Sequence, residues 1–372
     1  MFLLFIFLIF SSFVSCKKFT FDDAPVEMFD IQIDRDNPEK LYKAFEDFIV
    51  KFKRDYKTAE EKMFRFNQFV RSNNEIGKMS TNVKKSGADT QFAINKFADW
   101  SKDEFRNSLS KLPPRNYSNL PVFNSNSTRT KRFVTSVPKS YDLRNEKVGG
   151  RYIVGPVKNQ GSCGCCWAFA ATAVAEVILS VHLKKLTTLS DQEVCDCGAS
   201  EVPGCTGGDP AMGFSYIYSH GQATDNTYPY VDGRSKSMTN CGRSNTERKL
   251  PPYEISYYHF DVYNAEYDIM RHIYLLKTPV AVAFRIGEGF QFLKSNVLEM
   301  EDCNSAEKET WHSAAIVGYG TAKNSRGKDV DYWIVKNSWD SDWGEDGYAK
   351  IARGKNWCDI ERSGLGARLT VS

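Results

Sequence analysis

The cysteines of this 372-residue chain are confined to one part of it. After Cys16 the next is Cys163, and nine of the ten lie between Cys163 and Cys358. Disulfides can therefore constrain only the second half of the chain, which predicts two separately organised parts. Nine is an odd number, so in an oxidising compartment at least one of these thiols stays unpaired and is a candidate reactive residue.

Composition and charge narrow the class of protein. With 41% hydrophobic and 26% charged residues the chain is a folded globular protein, and its length suits about two domains. The net charge is +3 and no dense cluster of Lys and Arg is present, so nucleic acid is not an expected partner. Residues 1–132 carry 23 basic and 17 acidic side chains and residues 133–372 carry 26 and 29, so the two parts have opposite charge and should attract each other.

The N-terminus has the pattern of a secretory signal. Residues 2–10 are uninterrupted apolar and small and polar residues follow, so we expect a signal peptide over residues 1–16. The chain would then enter the secretory pathway and be lysosomal or extracellular. The apolar run is too short to cross a bilayer and no later run approaches 18 residues, so no membrane span is expected.

Periodicity in the first half predicts a helical subdomain. Apolar residues recur at helical spacing from Leu41 to Phe52 and again from 61 to 76, which predicts two helices between residues 38 and 80. The alternation in QFAINKFADWS predicts a short strand over 91–101.

An exposed linker is predicted after this subdomain. From residue 112 to 130 the chain is rich in Pro, Asn and Ser, and it ends in Lys131-Arg132, a sequence suited to cleavage. Both N-x-[ST] glycosylation acceptors, Asn116 and Asn126, lie in this segment.

The second half changes from helix to strand. Apolar positions from Cys166 to Lys185 predict a long amphipathic helix. After Pro279 the apolar runs are short, β-branched and aromatic, and Gly, Asn and Asp separate them, which is typical of strands. A helical lobe followed by a β lobe predicts an α+β protein with a cleft between the two.

One cysteine is placed for nucleophilic chemistry. The segment KNQGSCGCCWAF puts Cys166 at the start of the long helix, where unpaired N–H groups and the helix dipole favour a thiolate. A thiolate also needs a base and an oxyanion site. Of five histidines, only His312 opens a Gly-punctuated β segment, 146 residues after Cys166. The other four lie in helical or polar surroundings that favour structural roles.

Taken together, residues 38–372 resemble a preproenzyme of the papain and cathepsin L family of cysteine proteases. The resemblance implies an α+β, papain-like two-lobe fold, with a helical lobe, a β-barrel-like lobe and the active site in the cleft. It also implies a signal peptide over 1–16, a propeptide over 17–132 with a helical inhibitor subdomain at about 38–105, and a mature peptidase domain over 133–372.

The resemblance also implies the catalytic roles. Cys166 is the nucleophile and His312 the base and acid, while Asn337 in VKNSW orients the imidazole and Gln160 with the backbone N–H of Cys166 forms the oxyanion hole. Trp339 covers the bond between His312 and Asn337. No cofactor or metal is implied. Substrate contacts are expected at Gly207, Gly208, Asp209, Pro210, Ala283, Thr310, Trp339 and Ser363. Most of these are small or apolar, so the second subsite should favour an apolar side chain, while Asp209 at its rim could accept a basic one.

The first half resembles the propeptide of the same family. Its longer motif is approximated by Glu61, Arg65, Phe69 and Ile76, and its shorter motif by Asn95, Phe97 and Asp99. Ser72, Ser80 and Ala93 depart from these motifs. The implied partners are protein and peptide substrates and the chain's own propeptide as inhibitor, with the protein a monomer.

By the same resemblance three disulfides are expected, Cys163 with Cys205, Cys197 with Cys241, and Cys303 with Cys358. Cys165 and Cys195 are additional. They either form a fourth bridge, which would keep a spare thiol away from the nucleophile, or are two buried thiols.

Two departures near the catalytic residues leave an alternative function open. Trp311 precedes the histidine, where its ring could desolvate the imidazolium and lower its pKa, and Asp340 stands where a Gly usually follows NSW. The alternative is a catalytically impaired binding protein with the papain fold. A cysteine metal site is disfavoured because the C-x-C spacings differ from the usual C-x-x-C.

Overall fold

The computed structural model describes residues 38–123, 136–199, 204–231, 233, 241–242, 248–301, 303 and 310–370. All of them belong to one compact unit, residues 33–372. The expected signal peptide, the Asn126 acceptor and the dibasic pair lie outside the described residues.

The first half forms a small helical subdomain. Its elements are α1 Pro38–Lys51, α2 Ala59–Ser86, β1 Gln91–Phe92 and α3 Lys102–Asn107. Thr58 caps the start of α2 by accepting a hydrogen bond from the Glu61 N–H. Phe45, Phe48 and Phe69 form the aromatic contact between α1 and α2, with ring centroids 5.3–6.2 Å apart. The two predicted helices are present.

The predicted strand over 91–101 is wrong beyond its first two residues. β1 pairs with a strand of the second half, from which we infer that it depends on this long-range partner. After one more bond, from the Ala93 N–H to Phe292 O at 3.0 Å, the chain forms a turn over residues 96–99. The Asn95 carboxamide accepts a bond from the Phe97 N–H and donates one to Gln291 O, which anchors the turn to the second half.

In the second half the longest helix lies at the centre of the core. The helices are α4 Cys166–Leu183, α5 Asp191–Gly198, α6 Pro210–His220, α7 Ala265–Leu276 and α8 Glu288–Gln291. The predicted long helix is present as α4. Of its 18 residues 14 are buried, so the prediction that it is amphipathic is wrong and the helix is enclosed on most sides. Within the described residues α4 is the one helix long and apolar enough to cross a membrane, and its burial is that of a core helix.

Within the described residues the strands form one eight-stranded sheet and two two-stranded sheets. They are β2 Tyr141–Asp142, β3 Lys147–Val148, β4 Arg151–Tyr152, β5 Ile255–His259, β6 Val280–Arg285, β7 Leu293–Ser295, β8 Val297–Leu298, β9 Trp311–Lys323, β10 Asp329–Lys336, β11 Tyr348–Ala352 and β12 Leu365–Leu369. The sheet runs in the order β5-β12-β6-β9-β10-β11-β8, with β2 added to β9. Among the described residues β5 and β8 remain its two ends. The β lobe is therefore an open sheet and not a closed barrel.

Disulfides lie in the second half. Bridges join Cys163 to Cys205, Cys197 to Cys241, and Cys303 to Cys358. Cys165 and Cys195 are buried thiols outside any disulfide, so the fourth bridge is absent. The Cys165 sulfur instead lies 3.2 Å from the Tyr230 hydroxyl. Cys195, Cys163 and Cys205 have their sulfurs within 4.8 Å of one another, but a disulfide uses two of the three, which leaves no thiolate set for a metal.

The helical subdomain is docked on the second half through charge and strand pairing. Lys96 contacts Asp342 at 2.5 Å and Lys102 contacts Glu288 at 3.0 Å. β1 pairs antiparallel with β7. These ion pairs have the basic partner in the first half and the acidic partner in the second, as the charge distribution of the sequence predicts.

Candidate active site

Three elements bring the predicted catalytic side chains together. Cys166 is the first residue of α4, His312 is the second residue of β9, and Asn337 directly follows β10. β9 and β10 are antiparallel neighbours, which places Asn337 beside His312. His312 Nε2 lies 2.7 Å from Asn337 Oδ1. An amide oxygen only accepts, so Nε2 carries the proton and the lone pair is left on Nδ1.

His312 is enclosed by aromatic rings. The ring centroids of Trp339, Phe290 and Phe284 lie 4.6, 5.8 and 5.9 Å from that of the imidazole. Burial lowers the pKa of His312 to about 4, and the hydrogen bond to Asn337 opposes this only in part. The pKa of His312 is lowered by burial, as predicted from the sequence, and the rings that surround the imidazole are those of Trp339, Phe290 and Phe284.

The thiol of Cys166 is also kept neutral. Burial raises the pKa of Cys166 to about 11, although the Ser313 and Ser110 backbone N–H groups favour the thiolate. Cys166 is fully buried. With the imidazole neutral as well, neither charge of a thiolate–imidazolium pair is present in this state.

Gln160 lies where an oxyanion donor is expected. Its side-chain N–H groups donate to Ser108 O at 2.8 Å and to Cys163 O at 2.9 Å. Ser338 Oγ donates to Gln160 Oε1 at 2.6 Å, which fixes the orientation of the amide. Ser108 belongs to the first half of the chain. A peptide carbonyl from the first half therefore already occupies the amide donor predicted for the oxyanion hole.

The end of the first half of the chain passes between the two predicted substrate-binding walls. On one side Ser110 and Trp311 form an antiparallel bridge, with the Ser110 N–H donating to Trp311 O at 3.0 Å. On the other side the Gly208 N–H donates to Ser110 Oγ at 3.2 Å. Gly207 has φ +129°, and a Cβ there would lie 2.8 Å from the Lys111 nitrogen. Glycine is needed for this close approach.

The remaining predicted substrate residues differ in exposure. Asp209 is buried and caps α6, accepting bonds from the Ala211 N–H and from the Tyr117 hydroxyl of the prosegment. Burial raises the pKa of Asp209. Pro210 is the first residue of α6 and is buried. Ser363 Oγ accepts from the Ala283 N–H at 2.9 Å.

Two further predicted residues have structural contacts. Thr310 O accepts from the Ile286 N–H at 3.1 Å. Trp339 is buried against Phe97 and Phe105 of the prosegment, with centroids 5.0 and 5.6 Å apart. The ring that covers His312 is thus itself covered by the prosegment.

Sequence reasoning missed several residues of the closed site. Ser108 and Ser110 lie in no motif. The one sequence feature that could have pointed to them is their position shortly after the second propeptide motif. The hairpin loop between β9 and β10 also contacts the first half of the chain, since Arg326 donates to Lys85 O at 3.1 Å and Ser325 to Gly87 O at 3.3 Å.

Asp340 has a local structural explanation. Its φ is +64°, in the left-handed region where Gly is the usual residue. Its carboxylate accepts from the Ser341 N–H at 2.8 Å and from Asn159 Nδ2 at 3.3 Å. Aspartate tolerates this conformation better than most residues because of such local bonds.

Comparison with known proteins agrees with this geometry. The family model "Papain family cysteine protease" matches residues 137–367, and "Cathepsin propeptide inhibitor domain (I29)" matches residues 45–105. The chain is 34% identical to cysteine proteinase 2 of Zea mays, covering 85% of this chain and 81% of that one. It is 32% identical to pro-cathepsin H of Mus musculus, covering 78% and 83%.

Solved proenzymes have the same fold. The digestive procathepsin L 3 of Tenebrio molitor superposes with a TM-score of 0.72 at 27% identity, covering 88% of this chain and 99% of that one. The recombinant stem bromelain precursor gives 0.71 at 31% identity, with 89% and 99% covered. The chain therefore belongs to the papain family of cysteine proteases and carries the inhibitory propeptide domain of the cathepsins.

Proposed function

We propose that this zymogen, once its prosegment is removed, is an endopeptidase that cleaves peptide bonds with Cys166, His312, Asn337 and Gln160. The observation that carries the proposal is the 2.7 Å bond from His312 to Asn337, with Cys166 at the start of α4. His312 Nδ1 has no hydrogen-bond partner among the described residues, so it is available to exchange a proton with the thiol.

The chemistry follows from these positions. The Cys166 thiolate attacks the scissile carbonyl carbon, and Gln160 Nε2 with the Cys166 backbone N–H stabilises the oxyanion. Protonated His312 gives its proton to the leaving amine, and a thioester remains. His312 then takes a proton from water, the hydroxide attacks the thioester, and the acid product leaves as the Cys166 thiolate reforms beside protonated His312.

Removal of the prosegment would allow Cys166 and His312 to form the thiolate–imidazolium pair. Water would reach the cleft, and the helix dipole and the mutual attraction of thiolate and imidazolium would then outweigh the desolvation that keeps both neutral. We place the mature domain at residues 133–372 and cleavage near Lys131-Arg132, because the dibasic pair ends a linker rich in Pro, Asn and Ser.

Substrate and compartment are part of the same proposal. The small residues Gly207, Gly208 and Ala283 favour an extended substrate backbone with an apolar side chain in the second subsite. Three disulfides and an apolar N-terminal run support a protein of the secretory pathway that is lysosomal or extracellular. We expect the mature enzyme to act as a monomer.

The test is covalent labelling. The secreted proform is incubated at pH 4.5 with an electrophilic peptidyl epoxide, and the adduct is located by peptide mass spectrometry. We expect the adduct on Cys166, lost in His312→Ala. A folded, completely processed protein with no adduct would overturn the proposal and favour a binding protein instead.

A further inference from the structure

After the cleft, the prosegment adds itself to the free edge of the large sheet. The Phe123 N–H donates to His259 O at 2.8 Å, and the His259 N–H donates to Pro121 O at 3.0 Å. Val122 and His259 thereby form a parallel bridge. His259 ends β5, which has β12 as its one partner strand among the described residues. Residues 121–123 thus act as a short extra strand outside the catalytic cleft.

An aromatic socket lies beside this edge. Phe123 is 8% exposed although it belongs to a surface linker. Its ring centroid lies 5.5 Å from that of Tyr258, 5.3 Å from that of Phe260 and 5.7 Å from that of His272. The socket residues belong to the mature domain, so they stay when Phe123 leaves. Because a buried phenylalanine removes a large apolar surface from water, Phe123 contributes most of the stability of this contact.

A groove reaches from the β5 edge to the start of β9. On the side of the mature domain its lining includes His259 and Val262, at and just after the end of β5, and Trp311, the first residue of β9. The prosegment contributes residues 114–118 and 122 to the same lining. Trp311 also forms the bridge with Ser110, the residue that lies in the cleft, so removal of the prosegment would open a continuous surface from the cleft to the β5 edge.

Exposed apolar residues border the socket. Val262 is 52% exposed and Tyr263 is 91% exposed, and both follow Phe260 in the chain with Asp261 between. Loss of Phe123 would add an open aromatic socket and an unpaired strand edge to this surface. Such a combination marks a binding surface for extended polypeptide.

We propose that in the mature enzyme the β5 edge and the Tyr258–Phe260–His272 socket form an exosite for protein substrates. It takes an extended substrate segment that pairs with His259 and inserts an aromatic side chain where Phe123 lies in the zymogen, a strand addition of the kind seen in peptide-binding domains. The inference rests on the proposed function, because the site opens only after the prosegment is removed. Continuity with the cleft favours a substrate chain over a second copy of the enzyme.

The first test measures binding with the catalytic cleft blocked. Mature enzyme is prepared from the full zymogen and Cys166 is capped with the peptidyl epoxide. A fluorescein-labelled peptide of residues 117–123 is titrated by fluorescence polarisation beside the same peptide with Phe123→Ala. We expect saturable binding of the first and at least tenfold weaker binding of the second. Equal binding of the two peptides would overturn the proposal.

The second test measures turnover with matched surface variants. Val262→Glu places a charge in the groove wall, and Leu183→Glu places the same charge on an exposed apolar residue at the far end of α4. We expect Val262→Glu to lower kcat/KM for β-casein severalfold while a short fluorogenic peptide is cleaved as by wild type. Leu183→Glu should change neither. Unchanged casein cleavage, or an equal loss on both substrates, would overturn the proposal.

Two outcomes distinguish this proposal from the proposed function and from a dimer interface. If the mature enzyme cleaves no short peptide, the proposed function fails, whereas the polarisation titration still decides whether the exosite exists. If the mature enzyme is a dimer that Val262→Glu converts to a monomer, the edge is an interface between copies and the substrate exosite is refuted.

Discussion

The ionisation of Cys166 should change steeply when the prosegment is removed. In the zymogen the pKa of the thiol is raised to about 11, so roughly one thiol in 10⁴ is ionised at pH 7. The pKa of His312 is lowered to about 4, so the imidazole is neutral at the same pH. In the mature enzyme the ion pair should form, and the thiolate becomes the main species. The intrinsic reactivity at pH 7 should then rise by about 10³-fold or more, since only the thiolate is nucleophilic.

Alkylation with iodoacetamide measures this change. The rate at Cys166 is followed by peptide mass spectrometry from pH 6 to pH 9 in the intact zymogen and in the mature enzyme. Steric cover lowers the zymogen rate at every pH, but a neutral thiol makes that rate rise about tenfold per pH unit. The mature rate should be nearly flat. Cys195, a buried thiol in the same digest, gives the background rate. A flat profile in the zymogen would refute the reasoning.

Three further substitutions probe the closed state and the site. Glu104 is bonded to Arg65 at 2.6 and 2.8 Å, which holds the pKa of Glu104 below its usual value, so the pair stabilises above about pH 4.5 and is lost as pH falls through the lowered pKa. Glu104→Gln should therefore lower zymogen stability by about 1 kcal/mol at pH 7 and by progressively less as the pH falls through the lowered pKa, read as the difference in Tm from wild type; a difference independent of pH contradicts this. Phe97→Ala removes a ring packed on Trp339 and should cost about 3 kcal/mol of prosegment packing, seen as faster processing at pH 5, and an unchanged rate would count against the contact. Asn337→Ala leaves His312 without its acceptor and should lower kcat about 10–100-fold with little change in KM, measured on a short peptide; a pure KM effect would speak against an orienting role.

Much of the catalytic site is predictable because its signals are local. A cysteine before a long apolar run predicts a helix N-terminus, and Cys166 does begin α4. The β-branched segments after Pro279 predict strands, and β6 and β9 to β12 are formed there. His312 and Asn337 lie at strand ends in the sequence, and the antiparallel pairing of β9 and β10 then brings them together.

Other features depend on contacts between distant segments, which a sequence pattern does not encode. The Cys165 sulfur contacts the Tyr230 hydroxyl, and the Cys195 sulfur contacts that of Cys163. The spacing of the cysteines in the sequence could therefore not decide whether Cys165 and Cys195 form a disulfide with each other. The strand alternation over 91–101 is real in the sequence, yet pairing stops after Phe92, where β7 no longer offers a partner.

The amino-acid sequence by itself determined the order of the parts, the nucleophile and the charge difference that draws the two halves together, because these rest on residue identity and short-range periodicity. Only the tertiary structure decided that burial favours the uncharged forms of Cys166 and His312 in the zymogen. It also decided that the Ser108 carbonyl accepts the hydrogen bond from the Gln160 side-chain amide. It alone seats Phe123 in an aromatic socket far along the chain. The physical reason is that ionisation and burial depend on which surfaces exclude water, and those surfaces are assembled from segments that are distant in the sequence.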